Sequence, residues 1–254
     1  MKRTIEGLLV VLLVAAAAGA NALSEVRDVE GFDRVVFALP GKLALERGDT
    51  FEVVIDAAQE DLERIETVVR GNELAIRWND GALGMFGFGG RAAGPIDVRV
   101  TLPELRALEL AGSGDVDGGT WLSETFNLEI NGSGSARFAE LAVEELTVEL
   151  SGSGNARVAK VDSALARVEI RGSGDVELAG SADRQEIEVM GSGDVNAAEL
   201  EGARVDVEIM GSGDVTVWAN EVLSAEVMGS GDVRYRGSAR VDSEEHGSGE
   251  VKAL

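Results

Sequence analysis

Gly112-Ser113-Gly114 is the first of eight Gly-Ser-Gly triplets; the others begin at Gly132, Gly152, Gly172, Gly191, Gly211, Gly229 and Gly247. The steps between them are 20, 20, 20, 19, 20, 18 and 18 residues. A fixed period of this length marks a repeat architecture, in which each unit buries its apolar face only by stacking on its neighbours. Four residues before the first Gly stand Leu108, Leu128, Val148, Val168, Ile187, Val207, Ala225 and Ser243. Two before stand Leu110, Ile130, Leu150, Ile170, Val189, Ile209, Val227 and Glu245. Four after stand Val116, Ala136, Ala156, Val176, Val195, Val215, Val233 and Val251. Apolar and polar residues alternate in period two, the pattern of strands with one buried face. That phase runs straight through the triplet, so both Gly should face inward and the Ser outward. Gly on the inner side suits a corner where backbones crowd.

A turn of 18 to 20 residues is too short for a helix and its crossover, and no helical apolar period is present. Two or three short strands with tight corners fit, with successive turns stacked about 4.8 Å apart. The expectation is an all-β chain forming a parallel β-helix or a close β-solenoid. A propeller blade needs a period of about 40 residues or more, and a leucine-rich repeat carries an Asn ladder that is missing here.

Residues 1–22 read as a signal peptide. Lys2 and Arg3 make a basic start, Leu8 to Ala18 an apolar run, and Ala20-Asn21-Ala22 a small-residue cleavage site. The run is short for a membrane span, so export with release, to the periplasm or beyond the cell, is expected. Without residues 1–22 the chain keeps 21 basic against 45 acidic residues, a net charge of −24. Such acidity excludes nucleic acid and anionic membrane as natural partners. There is no Cys, so the fold must hold in an oxidising compartment without disulfides.

Residues 23–100 lack the triplet yet carry strand patterns, among them Val35-Val36-Phe37, Phe51-Glu52-Val53-Val54-Ile55 and Leu74-Ala75-Ile76-Arg77-Trp78. Turn signals at Pro40-Gly41, Gly48-Asp49 and Gly71-Asn72 separate them. We read this region as an N-terminal β region that caps or begins the solenoid of residues 101–254, with one short helical turn between Gln59 and Glu66. Residues 81–94 form a Gly-rich apolar loop holding Met85, Phe86 and Phe88. Two readings stand for it: a connection folded onto the core, or an exposed tip that meets a partner.

Leu102-Pro103 followed by Leu108-Glu109-Leu110-Ala111-Gly112-Ser113-Gly114-Asp115-Val116 resembles the putative auto-transporter adhesin, head GIN domain family, a bacterial family of unknown function. The resemblance spans roughly residues 30–250 and implies an exported, right-handed, all-β helical domain. It transfers no catalytic residue, and no translocating barrel is expected after the repeats, although the family's name would suggest one.

A Glu stands three residues before every triplet: Glu109, Glu129, Glu149, Glu169, Glu188, Glu208, Glu226 and Glu244. Three after the first Gly come Asp115, Ser135, Asn155, Asp175, Asp194, Asp214, Asp232 and Glu250. Stacked like charges about 5 Å apart repel by roughly 1 kcal/mol in water, and no basic column is evident beside them. Structural Ca²⁺ is one relief, since oxygen ligands suit it. The other reading has the Asp or Asn side chain bracing the corner backbone while the Glu column is solvated.

Nothing else converges on chemistry. Ser113 and its counterparts lack the nucleophile-elbow context and have His246 as the only His. Met190, Met210 and Met228 sit just before three successive triplets, as packing or as an adaptable partner stripe. Trp121 and Trp218 lie near corners, where packing competes with sugar stacking. Asp175, Asp194 and Asp214, with Arg171 nearby, imitate an acid cluster but belong to a repeating column. No catalytic, cofactor-binding or metal residue is nominated. The expected function is an exported non-catalytic β-solenoid, an adhesion or binding module of the cell envelope that meets an envelope protein or polysaccharide. A carbohydrate-active β-helix enzyme and a structural spacer are the alternatives.

Overall fold

The computed structural model describes residues 22–79 and 92–254. Residues 1–21 of the expected signal peptide and residues 81–91 of the Gly-rich loop lie outside that range. The described chain is nearly all strand, one continuous sheet wound into about seven stacked, nearly closed turns. The one helix among the described residues, α1 (Gln59–Leu62), falls where a short helical turn was expected.

In the repeat array each turn runs through three extended segments. The segment before the triplet stacks as β8 (Ala107–Gly112), β10 (Thr120–Gly132), β12 (Glu140–Gly152), β13 (Asn155–Gly172), β14 (Val176–Gly191), β15 (Val195–Gly211), β16 (Val215–Gly229) and β18 (Arg240–Gly247). All these pairs are parallel, and triplet lies on triplet: Gly132 pairs with Gly112 and Gly152, and so on to Gly247 on Gly229. The segment after the triplet stacks in the same way from β9 (Asp115–Asp117) through β11 (Ser135–Phe138) to β17 (Val233–Arg236) and β19 (Val251–Ala253). A third segment, Thr120–Ser123 on Glu140–Val143, closes the turn before the chain bends.

The triplet's composition follows from this stacking. The first Gly of each copy has φ between +119° and +147°, a region L side chains rarely occupy. From the second copy onward, a Cβ on that Gly would lie closer than 3.0 Å to the carbonyl oxygen of the same Gly one turn earlier. That oxygen is in use: it accepts the backbone N–H of the next turn's Ser, at 2.8–2.9 Å from Ser133 to Ser248. The second Gly is buried and equally intolerant of a Cβ, while the Ser side chain is exposed in all eight turns. Two Gly columns therefore let the corner backbones come into direct contact.

The core is the stacked inward columns, with Leu110, Ile130, Leu150, Ile170, Val189, Ile209 and Val227 each at most 1 % exposed. At about 25 cal/mol per Å² of apolar area, these contiguous columns are the main favourable term for a chain without disulfides. Trp121 is fully buried, with its indole N–H donating to the Gly118 carbonyl. Gln185 is the one polar residue in its inward column, 1 % exposed between Ala166 and Val205. Its amide nitrogen donates to the Leu200 carbonyl at 2.9 Å, next to register shifts between Ala197 and Arg204 that interrupt the strand ladder.

The stack's order is not the order of the sequence at its N-terminal end. β2 (Arg34–Ala38) lies between β6 (Glu73–Trp78) and β8, and β3 (Lys42–Arg47) between β7 (Asp97–Leu102) and β9. The register equates Leu39-Pro40-Gly41 with Gly112-Ser113-Gly114, since Phe37 pairs with Leu110 and Lys42 with Asp115. By the same register, the end of β6 (Glu73–Trp78) and the start of β7 (Asp97–Leu102) flank that corner one layer further out. Beyond it the strands reverse: β4 (Glu52–Ala58) pairs antiparallel with β7, β1 (Ala22–Arg27) with β4, and β5 (Ile65–Arg70) with β6. The residues just after β6 and just before β7 are held in place. Asn79 N–H donates to the Arg64 carbonyl at 2.7 Å, and the buried Asp61 carboxylate accepts the N–H groups of Ala93 and Gly94 at 2.9–3.1 Å.

Candidate functional site

The outward face before the triplet carries the Glu column in strict register, Glu109 on Glu129 through Glu226 on Glu244. A shallow depression of about 400 Å³ follows it over five turns, bordered by Glu149, Glu169, Glu188, Glu208 and Glu226 with Arg167. The alternation of the strand turns these carboxylates to solvent because the apolar neighbours take the core. Burial holds the Glu109 carboxyl above the usual range, with repulsion from Glu129 and Glu73 adding to it and an Asn131 hydrogen bond opposing it.

Among the described residues no basic column runs beside the acidic ones, but individual basic side chains pair with acids on these faces. Arg167 bridges Glu145 of the preceding turn and Glu186 of the next. Arg184 pairs with Asp206 at 3.1 Å, and Arg171 pairs with Glu169. Beside the Asp column, Arg157 reaches Glu177 at 2.6 Å, Arg234 reaches Asp214 at 2.9 Å and Asp232 at 3.0 Å, and Lys252 reaches Asp232 at 2.9 Å. The basic residues are scattered in sequence; Arg171–Glu169 and Arg234–Asp232 pair within one strand, and stacking aligns the others with acids of adjacent turns. These are exposed pairs of the kind worth about 0–1 kcal/mol each.

The Asp column braces the corner. Asn155 Oδ1 accepts the backbone N–H of Asp175 at 3.2 Å, and Asp175 that of Asp194 at 3.1 Å. Asp194 accepts from Asp214 at 2.8 Å, Asp214 from Asp232 at 2.9 Å, and Asp232 from Glu250 at 3.2 Å. In the earlier turns the corresponding N–H groups, of Ser135 and Asn155, go instead to the carbonyls of Gly114 and Gly134. Asp175, Asp194 and Asp214 are thus rungs of one structural ladder, and Arg171 pairs with the Glu column. The Lys252 ammonium, followed by the Glu250 N–H, holds the Asp232 carboxyl below the usual carboxylate range. Among the described residues no three His, Asp or Glu side chains group to hold a metal ion.

The remaining singled-out residues are also placed. Met190, Met210 and Met228 stack directly on one another, half-buried beside the Glu column, and His246 follows them, exposed. Trp218 donates its N–H to Asn220 at 3.0 Å, and its ring carries the Arg236 guanidinium at 4.3 Å. Trp121 offers no face to solvent. Sequence reasoning missed a second depression, of about 550 Å³, over β7, β3 and β9, where small Ala44 is flanked by Lys42, Arg99, Asp117 and Arg137. Only the spliced strand order brings those residues together, so no local signal could have found it.

Solved structures share the architecture. A putative lipid binding protein from Parabacteroides distasonis superposes with a TM-score of 0.85 at 22% identity, covering 92% of this chain and 97% of that one. A putative adhesin from Parabacteroides merdae gives 0.82 at 18% identity over the same shares. A putative adhesin from Parabacteroides distasonis gives 0.82 at 20%, again over 92% and 97%. No curated protein matches. The family described as "Putative auto-transporter adhesin, head GIN domain" matches residues 31–239, most of the chain. With the triplet corners, the parallel stack and that match together, the chain belongs to the head GIN domain family.

Proposed function

We propose that this chain is an exported, non-catalytic binding module of the cell envelope, which adheres by repeating one weak contact along its length. The observation that carries the reading is the unbroken register of the outward columns. Eight Glu and eight exposed Ser recur once per turn, and among the described residues no turn gathers its acids into a cleft. Repetition at a fixed spacing gives avidity without any strong single site. The family's name supports it, as does the likeness to two putative adhesins. An enzyme on this fold would concentrate its acids in one turn, and fold likeness alone carries no activity.

The test compares the chain from residue 23 onward with a version lacking residues 173–211, two turns whose removal joins Gly172 to Ser212 in register. Both are assayed for retention on beads coated with peptidoglycan, a neutral glucan or gelatin. Retention on one coating that falls more than tenfold on shortening supports a distributed contact. Absence of retention on every coating, or release of reducing sugar from the glucan, overturns it.

A further inference from the structure

The last turn keeps the backbone of the repeat and breaks its chemistry. β18 continues the stack on β16 in register, with Val241 on Leu223, Ser243 on Ala225 and Glu245 on Val227. Those three positions belong to the core-facing columns, and in the turn below all three partners are buried, Leu223 and Val227 fully. Val241 follows the rule and packs on the core. Ser243 and Glu245 do not: both are exposed, and the Ser243 hydroxyl donates to Glu245 Oε1 at 3.2 Å. The far edge of β18 pairs with no strand among the described residues. It is an eight-residue strand with a row of free N–H and C=O groups, long enough to template another strand.

We infer that this edge is a self-pairing surface held shut by Glu245, and that the partner it would otherwise accept is a second copy of this chain. The argument is one of continuity. The edge has the register of every layer beneath it, and the surface it covers is the apolar end of the core. Two copies related by a two-fold axis would set β18 antiparallel to its counterpart, an isologous contact that closes at two. Pairing would trap the Glu245 carboxylate between two apolar layers with no basic partner, and an unpaired buried charge is too costly to form. An inward-pointing charge on an edge strand is a recognised defence against edge-to-edge association. Ser243 supports it by leaving the neighbouring position without an apolar side chain.

The experiment compares three proteins at equal concentration by size-exclusion chromatography with light scattering. They are the unaltered chain, Ser243→Val/Glu245→Val on the core-facing side, and Asp242→Val/Glu244→Val on the outward side of the same strand. The core-facing pair is expected to double its mass relative to the unaltered chain, and the outward pair to match the unaltered chain although it gains as much apolar surface. Glu245→Leu alone replaces the double substitution where the latter does not unfold cooperatively. An unchanged mass for a cooperatively folded core-facing variant overturns the inference. So does an equal mass increase in the outward variant, which would mean generic stickiness.

Discussion

Gly172 lies against Gly152 of the preceding turn so closely that a Cβ on Gly172 would sit within 3.0 Å of the Gly152 carbonyl oxygen. Its φ of +140° adds backbone strain for any other residue. Gly172→Ala is expected to destabilise the chain by roughly 2–4 kcal/mol, combining that strain with overpacking. Gly71→Ala is the comparison: φ is +66° there but nothing lies within 4 Å of the added methyl, so about 1–2 kcal/mol is expected. Urea unfolding at constant m-value reads both.

Asp194 joins two turns through its side chain, accepting the Asp214 N–H at 2.8 Å. Asp194→Ala should cost about 1 kcal/mol for one lost hydrogen bond. Asp194→Asn should cost less, because Asn155 already performs the same task for Asp175. Thermal unfolding of the two variants side by side distinguishes a bracing acceptor from a mere charge.

Asp61 is fully buried and takes three hydrogen bonds from the Ala93 and Gly94 backbone. Asp61→Ala would leave those donors without their charged acceptor, at a cost of roughly 2–4 kcal/mol. Loss of under 1 kcal/mol in denaturant unfolding would show that water replaces the carboxylate.

Two carboxylates predict opposite responses to acid. The Asp232 carboxyl is depressed in the fold, so its contribution is present above the unfolded carboxylate value and is lost as pH falls through the folded one. Glu109 is raised by burial, so its ionised form is a burden at neutral pH that acid relieves. Glu109→Gln should therefore raise stability at pH 7 by less than about 1 kcal/mol, the site being half-exposed and screened. The gain should vanish below about pH 4, near the unfolded Glu value. Chemical denaturation between pH 3 and pH 7 measures the crossing.

The acidic columns are spread along the axis, the Asp column shares basic side chains between turns, and no metal-sized grouping stands among the described residues. Thermal unfolding in millimolar Ca²⁺ and in chelator, at matched ionic strength, should agree within about a degree, since a ligand that binds only the native state must raise the midpoint. A rise of several degrees would restore the cation reading.

The array was legible because its constraints recur. Any corner that packs Gly on Gly has to repeat the triplet, and any strand with one buried face has to alternate. The Asp brace was legible for the same reason, as a short acceptor at a fixed offset from a corner. Two things were hidden. Arg167 and Arg234 find their acids in neighbouring turns, and such pairs are invisible until the period is folded into register. The layer order was hidden too: Leu39-Pro40-Gly41 does the work of a triplet without looking like one, and only the folded register equates the two.

That splice bears on how the chain can be built. The layer formed by β2 and β3 has one neighbour drawn from residues 73–102 and the other from residues 107–117. A ribosome that releases the N-terminus first presents this layer before either of its partners exists. It must wait for both, and the second of them is the first Gly-Ser-Gly turn itself, on which the next turn grows. Assembly of the array should thus start late and from its N-terminal end, with residues 34–47 as the piece that both directions of growth share.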